Sequence, residues 1–98
     1  MIARSPSVSI IVSTYNWKEA LELVLLSISR QSVMPLEVIV ADDGSRADTA
    51  NLIADCQNLL SVPLLHVWQE DNGFQLSQIR NKAIAKAKGE YILQIDGD

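Results

Sequence analysis

Four short runs of apolar residues recur between amphipathic helical patterns, and this alternation limits the folds open to the chain. Residues 8–12 are nearly all apolar and β-branched. Residues 36–41 are apolar apart from Glu37, residues 64–68 form a third run opened by Pro63, and residues 91–95 form a fourth. Short continuous runs of this kind suit strands buried on both faces, as in parallel sheets. Three stripes at helical spacing lie between them. The first is Leu21, Val24, Leu25 and Ile28, with Asn16 as N-cap, Glu19 closing a capping-box-like pair and Pro35 beyond the end. The second is Leu52, Ile53, Cys56 and Leu60, capped by Ser45 or Asp48. The third is Leu76, Ile79, Ala83 and Ala87, with Gly89 as the residue that ends the helix. The order is β-α-β-α-β-α-β. It predicts an α/β, Rossmann-like three-layer unit, with helices on both faces of a parallel sheet and right-handed crossovers.

Composition fits one domain spanning residues 1–98. Folding a chain of 98 residues can bury about two-thirds of its surface. With 48% apolar and 20% charged residues, disorder is excluded. A net charge of −4 argues against nucleic acid as a partner. No apolar run reaches the eighteen or so residues of a membrane span, and no signal-peptide h-region opens the sequence. Cys56 is alone, which excludes a disulfide framework and a cysteine-based zinc site. The expected location is the cytoplasm or the cytoplasmic face of a membrane.

Ligands in parallel α/β sheets bind beyond the carboxyl ends of the strands. Those ends carry Ser13-Thr14-Tyr15-Asn16, Asp42-Asp43-Gly44-Ser45, Gln69-Glu70-Asp71-Asn72-Gly73-Phe74 and Asp96-Gly97-Asp98. Six of the twelve acidic residues therefore gather on one rim, where a cation or a donor-rich ligand would offset their repulsion. Asp96 and Asp98, one residue apart across a glycine, point the same way in an extended chain. Facing Asp43, they suit a divalent ion such as Mg²⁺ or Mn²⁺ with phosphate oxygens completing the shell. Asp43 can accept hydrogen bonds from a nucleobase or ribose, while Gly44 permits a positive-φ turn. Tyr15 offers a flat face to a base, with a partly buried loop aromatic as the plain alternative. Arg80 lies near the start of the third helix, where phosphate can be held. Lys86 and Lys88 read as a solvated helix face, and His66 as a structural histidine inside an apolar strand. No Gly-x-Gly-x-x-Gly follows the first run, no P-loop is present, and no Ser/His/Asp set can be assembled.

Taken in order, these pieces resemble the N-terminal half of a family 2 glycosyltransferase with the GT-A fold. They are residues 8–16, 27–32 and 37–45, then Asp71-Asn72-Gly73-Phe74, Arg80-Asn81, and residues 88–92 running into Asp96-Gly97-Asp98. The resemblance covers almost the whole chain and implies strand order 3-2-1-4. It implies that Ser13 and Tyr15 hold a nucleobase, with Asp43 pairing to it and Asp42 alongside. It further implies that Arg80 sits near the diphosphate, that Asp96 contacts the ribose, and that Asp96 and Asp98 hold Mn²⁺ or Mg²⁺. The implied donor is a UDP-sugar and the implied acceptor a glycan, in polysaccharide or cell-surface glycan synthesis. The implied reaction is inverting, with a general base beyond Asp98, so the chain is expected to be the nucleotide-binding half of a longer enzyme and inactive alone. The fourth strand is then expected to be a bare edge and to self-associate through residues 91–95. The competing readings are a nucleotidyltransferase, which would want a Gly-rich basic loop after the first strand, a phosphoacceptor receiver, whose acidic pair would end the first strand, and a non-catalytic binding or assembly module.

Overall fold

A computed structural model describes residues 6–97. Strands β1 (Val8–Thr14), β2 (Glu37–Asp42), β3 (Leu64–Trp68) and β4 (Tyr91–Asp96) alternate with helices α1 (Lys18–Ser29), α2 (Ala47–Cys56) and α3 (Leu76–Lys86). All three pairings are parallel, in the order β3-β2-β1-β4. Both the fold class and the strand order match the expectation from sequence.

The continuous apolar runs arise because alternate residues serve two cores. Ile10, Val12, Val38, Val40 and Leu64 pack with Leu21, Leu25 and Ile28 of α1 and with Ile53 and Cys56 of α2. Ile11, Ile39 and Ala41 point the other way, onto Ile79 and Ala83 of α3. Leu60 is buried as expected, but α2 ends at Cys56, so Leu60 packs from the connection that follows.

The ends of the elements depart from the sequence reading. Neither Asn16 nor Ser45 caps its own helix: the N-cap positions are Trp17 and Arg46, and neither makes a side-chain cap. Asn16 instead has φ +46°, a left-handed conformation that asparagine tolerates. Its N–H donates to Ser45 Oγ at 2.8 Å, and its Oδ1 accepts from Arg46 N at 2.8 Å. The two residues tie the β1–α1 loop to the β2–α2 loop. Asp48 lies in the first turn of α2 rather than at its cap.

Gly89 does not end α3 in a left-handed turn. Ala87 ends it in an extended conformation, φ −70° and ψ 138°. Glycine is required at 89 because a Cβ there would lie 2.6 Å from Ser9 N. Gly89 N–H donates to Ser9 Oγ, whose hydroxyl donates in turn to Glu37 Oε2 at 2.7 Å. Lys88 N–H donates to the same carboxylate oxygen at 2.6 Å. Glu37, which reads as an interruption of an apolar run, is 4% exposed and ties β2, β1 and the α3–β4 connection together. It fixes where β4 enters the sheet, and so where Asp96 arrives at the opposite rim.

Candidate functional site

The rim at the carboxyl ends of the strands is built from the β1–α1, β2–α2 and β3–α3 connections. Asp43 stands at its centre. Gly44, at φ +94°, reverses the chain immediately after it. The carboxylate is clamped from one loop: Oδ1 accepts from Gln69 Nε2 at 2.7 Å, and Oδ2 accepts from Gln75 N–H at 2.8 Å. Gln69 Nε2 also reaches Gln75 O at 3.1 Å, which closes residues 69–75 into a strap rooted on one carboxylate. Gln69 is 7% exposed, so this root is dry and its charge-assisted bonds are strong.

Above Asp43 lies a cavity of about 440 Å³, lined by Ser13, Thr14, Tyr15, Trp17, Asp71 and Phe74 among others. Three aromatic side chains and two carboxylates thus share one opening. Tyr15 is 45% exposed, and its hydroxyl donates to Asp71 Oδ2 at 2.8 Å. That hydrogen bond, with the negative charge of Asp71, holds the phenol above its usual range. The buried Thr14 hydroxyl and Gln69 Oε1 have no hydrogen-bond partner among the described residues.

A second cluster sits at the β1–β4 border. Ser13 and Asp96 are register partners, and Ser13 Oγ donates to Asp96 Oδ1 at 3.0 Å. Arg80 Nη2 donates to the same oxygen at 2.8 Å. Arg80 is the fifth residue of α3, one turn beyond its first N–H groups. Its guanidinium reaches the rim by spanning to β4 as an ion pair with Asp96.

Two expected neighbours are not brought together. Asp42 is 1% exposed and turned away from Asp43. Its Oδ1 accepts from Ser45 N–H at 2.9 Å, and its Oδ2 lies 2.8 Å from His66 Nε2. Successive strand residues face opposite ways, and Asp42 takes the face of Val38 and Val40. His66 is thus a satisfied structural side chain, as expected. Asp43 and Asp96 also stand apart: β1 runs between their strands, a separation of roughly two strand spacings, about 9–10 Å. The metal candidate Asp98 lies outside the described residues. Among the described residues no group of three or more His, Cys, Asp or Glu side chains is arranged to hold a metal ion. Asp96, two-thirds exposed, supplies one hard oxygen donor at the rim.

The sequence reading placed Gln69 and Asp71 on a strand end without giving either a role, although a position just after an apolar run was a usable signal, and it did not single out Gln75 or Trp17. Gln75 acts through a backbone N–H and leaves none.

The sequence matches the profile of Glycosyl transferase family 2 over residues 9–98. It is 41% identical over 91 residues to a hyaluronan synthase of Pasteurella multocida, covering 92% of this chain and 9% of the synthase. It is 35% identical over 91 residues to a chondroitin synthase of Escherichia coli, covering 92% of this chain and 13% of that protein. The chain therefore spans about a tenth of the length of these curated relatives. Among solved structures, S. aureus TarS 1–349 in complex with UDP-GlcNAc superposes with a TM-score of 0.75 at 33% identity, covering 94% of this chain and 26% of that one. The mannosyltransferase PcManGT from Pyrobaculum calidifontis, in complex with GDP-Man and Mn²⁺, gives 0.76 at 30% identity, with coverage of 97% and 28%.

Proposed function

The chain belongs to glycosyl transferase family 2 and has a GT-A-type fold, and on that premise we propose that residues 1–98 are the nucleotide-sugar-binding portion of an inverting, metal-dependent glycosyltransferase. The observation that carries the reading is the clamped carboxylate of Asp43 beneath an aromatic-walled cavity. A fixed, dry acceptor beside flat rings suits the N–H edge and the face of a nucleobase. Tyr15 takes the base against its ring, and Ser13 lines the same floor. Arg80, already poised over Asp96, exchanges that carboxylate for the diphosphate. Asp42 contributes from behind, fixing the turn that presents Asp43.

Asp96, with Asp98 as its partner, would hold Mn²⁺ or Mg²⁺, and such an ion supplies charge neutralisation on the departing diphosphate. The donor is a UDP-sugar and the acceptor a glycan, in polysaccharide or cell-surface glycan synthesis. Solved relatives bound to UDP-GlcNAc and to GDP-Man with Mn²⁺, and relatives named as glycosaminoglycan synthases, support this reading. The general base is assigned to none of the rim carboxylates, because Asp43, Asp71 and Asp96 are each engaged by neighbours. We place the domain in the cytoplasm or at the cytoplasmic face of a membrane. No described helix is long and apolar enough to cross one.

The test is calorimetric titration of the 98-residue chain with UDP, CDP and ADP, with and without Mn²⁺. UDP should bind more tightly than the other two, and Mn²⁺ should strengthen it. Equal affinity for all three would overturn the assignment of the donor. No sugar transfer is expected from this chain alone.

The same reading includes self-association. Among the described residues strand β4 pairs only with β1, and Tyr91, Ile92 and Leu93 are 62%, 40% and 50% exposed. An exposed apolar edge strand of this kind pairs with other chains. Sedimentation velocity should show concentration-dependent association that Leu93→Lys abolishes. A wild-type monomer at high concentration would count against it.

A further inference from the structure

The strap at residues 69–75 does more than hold Asp43. Its exposed tip, residues 70–74, returns to the rim at Asp71. The Asp71 backbone is pressed against the β2–α2 turn so closely that a Cβ on Gly44 would lie 2.6 Å from Asp71 Cα and from its N. Asp71 Oδ1 accepts from Gly73 N–H at 3.2 Å, which fixes the carboxylate within the tip. Gly73 itself has φ +81°, so the chain can reverse there without steric cost. From this position Oδ2 accepts the Tyr15 hydroxyl at 2.8 Å. Tyr15 is nearly half exposed, and this bond anchors its hydroxyl.

We propose that Asp71 is a positioning residue that holds the Tyr15 ring across the cavity floor before any ligand arrives, so that a uridine nucleotide meets a preformed face rather than a rotating side chain. The inference rests on the nucleotide reading above and adds to it. One strap sets both determinants of the base site: its root fixes the Asp43 carboxylate, and its tip fixes the Tyr15 ring. Without the Asp71 acceptor, the ring must be immobilised at the moment of binding. The cost of ordering one such side chain corresponds to a loss of affinity of about three- to tenfold.

Asp71 touches Tyr15 and not the reacting atoms, so the test needs a reporter of that contact. The Tyr15 hydroxyl provides it, because the bond and charge of Asp71 push its titration upward, while Asn16 and Arg46 act the other way. Tyr91→Phe leaves Tyr15 as the only tyrosine and serves as the parent. In that parent, tyrosinate absorbance is followed with pH, and UDP affinity is measured at neutral pH. Asp71→Ala should lower the titration midpoint and weaken UDP about three- to tenfold. Asp71→Asn keeps an acceptor for the hydroxyl, so affinity should return to within about twofold of the parent while the midpoint stays lowered by the missing charge. An unchanged midpoint in Asp71→Ala would show that the contact does not exist in solution. A lowered midpoint with unchanged affinity overturns the positioning role. A parent that does not bind UDP sinks the nucleotide reading and this inference together, with the titration still reporting on the contact.

Discussion

Glu37→Ala is expected to lower the thermal unfolding midpoint by roughly 10–25 °C, the largest effect of any single substitution at a polar residue here. The carboxylate is 4% exposed and accepts from both Ser9 Oγ and Lys88 N–H. Its removal strands the part-buried Lys88 N–H and the buried Ser9 hydroxyl and opens a void between β1, β2 and the α3–β4 connection. The buried hydroxyl costs about 1–3 kcal/mol and the part-buried N–H about 1 kcal/mol, the low end of that range. Together they amount to about 2–4 kcal/mol, a large share of the 5–15 kcal/mol available to an ordinary domain. Glu37→Gln keeps one accepting oxygen and should lose less than half as much. Thermal unfolding followed by circular dichroism decides the matter. A shift below about 3 °C for Glu37→Ala would mean that water replaces the carboxylate at little cost.

Asp43→Ala is expected to weaken UDP binding about a hundredfold, within a range of roughly ten to several hundred. Two losses combine. The acceptor proposed for the base edge disappears, and the root of the strap comes undone, because Gln69 Nε2 and Gln75 N–H lose their shared partner. Asp43→Asn separates them in part. An amide offers one accepting atom where the carboxylate offers two, so one of the two strap bonds must break. The expected order of affinity is wild type, then Asn, then Ala, read by calorimetry with the unfolding midpoint as a control. Asp43→Ala binding UDP as tightly as wild type would remove Asp43 from the site.

Much of the fold was legible because its signal is local and repeated. Val8, Ile10 and Val12 alternate with Ser9, Ile11 and Ser13, and the resulting runs can only be strands with a core on each side. The ends were less legible because their bonds are not local. Asn16 and Ser45 have the composition of caps, yet they bond to each other's loop thirty residues away in sequence. Gly89 looks like a helix terminator, but its need for glycine comes from the approach of Ser9, eighty residues earlier. At the rim, the placing of Ser13, Tyr15, Asp43 and Asp96 followed from the alternation of strands and helices, which brings the carboxyl ends of parallel strands to one side. The different fates of Asp42 and Asp43 were available from the two-residue period of a strand, since Asp42 continues the face of Val38 and Val40. The pairing of Arg80 with Asp96 and the donation from Gln75 N–H required the chain to be folded.

The order β3-β2-β1-β4 also has a consequence for how the chain comes to be folded. Strand β1 is made first, yet its partner on one side is the last strand, with Ser13 and Asp96 separated by 83 residues. At ordinary synthesis rates of 5–20 residues per second, β1 waits roughly 4–17 s before β4 exists. During that interval, the helices and β2 can assemble by local crossovers, while one flank of β1, an interior strand of the finished sheet, stays open. Closing the sheet is therefore a late step of high contact order, and such steps are slow. The Glu37–Ser9–Lys88 junction lies where β4 joins, so it forms in that same late step. Its loss should speed unfolding more than it slows the early collapse.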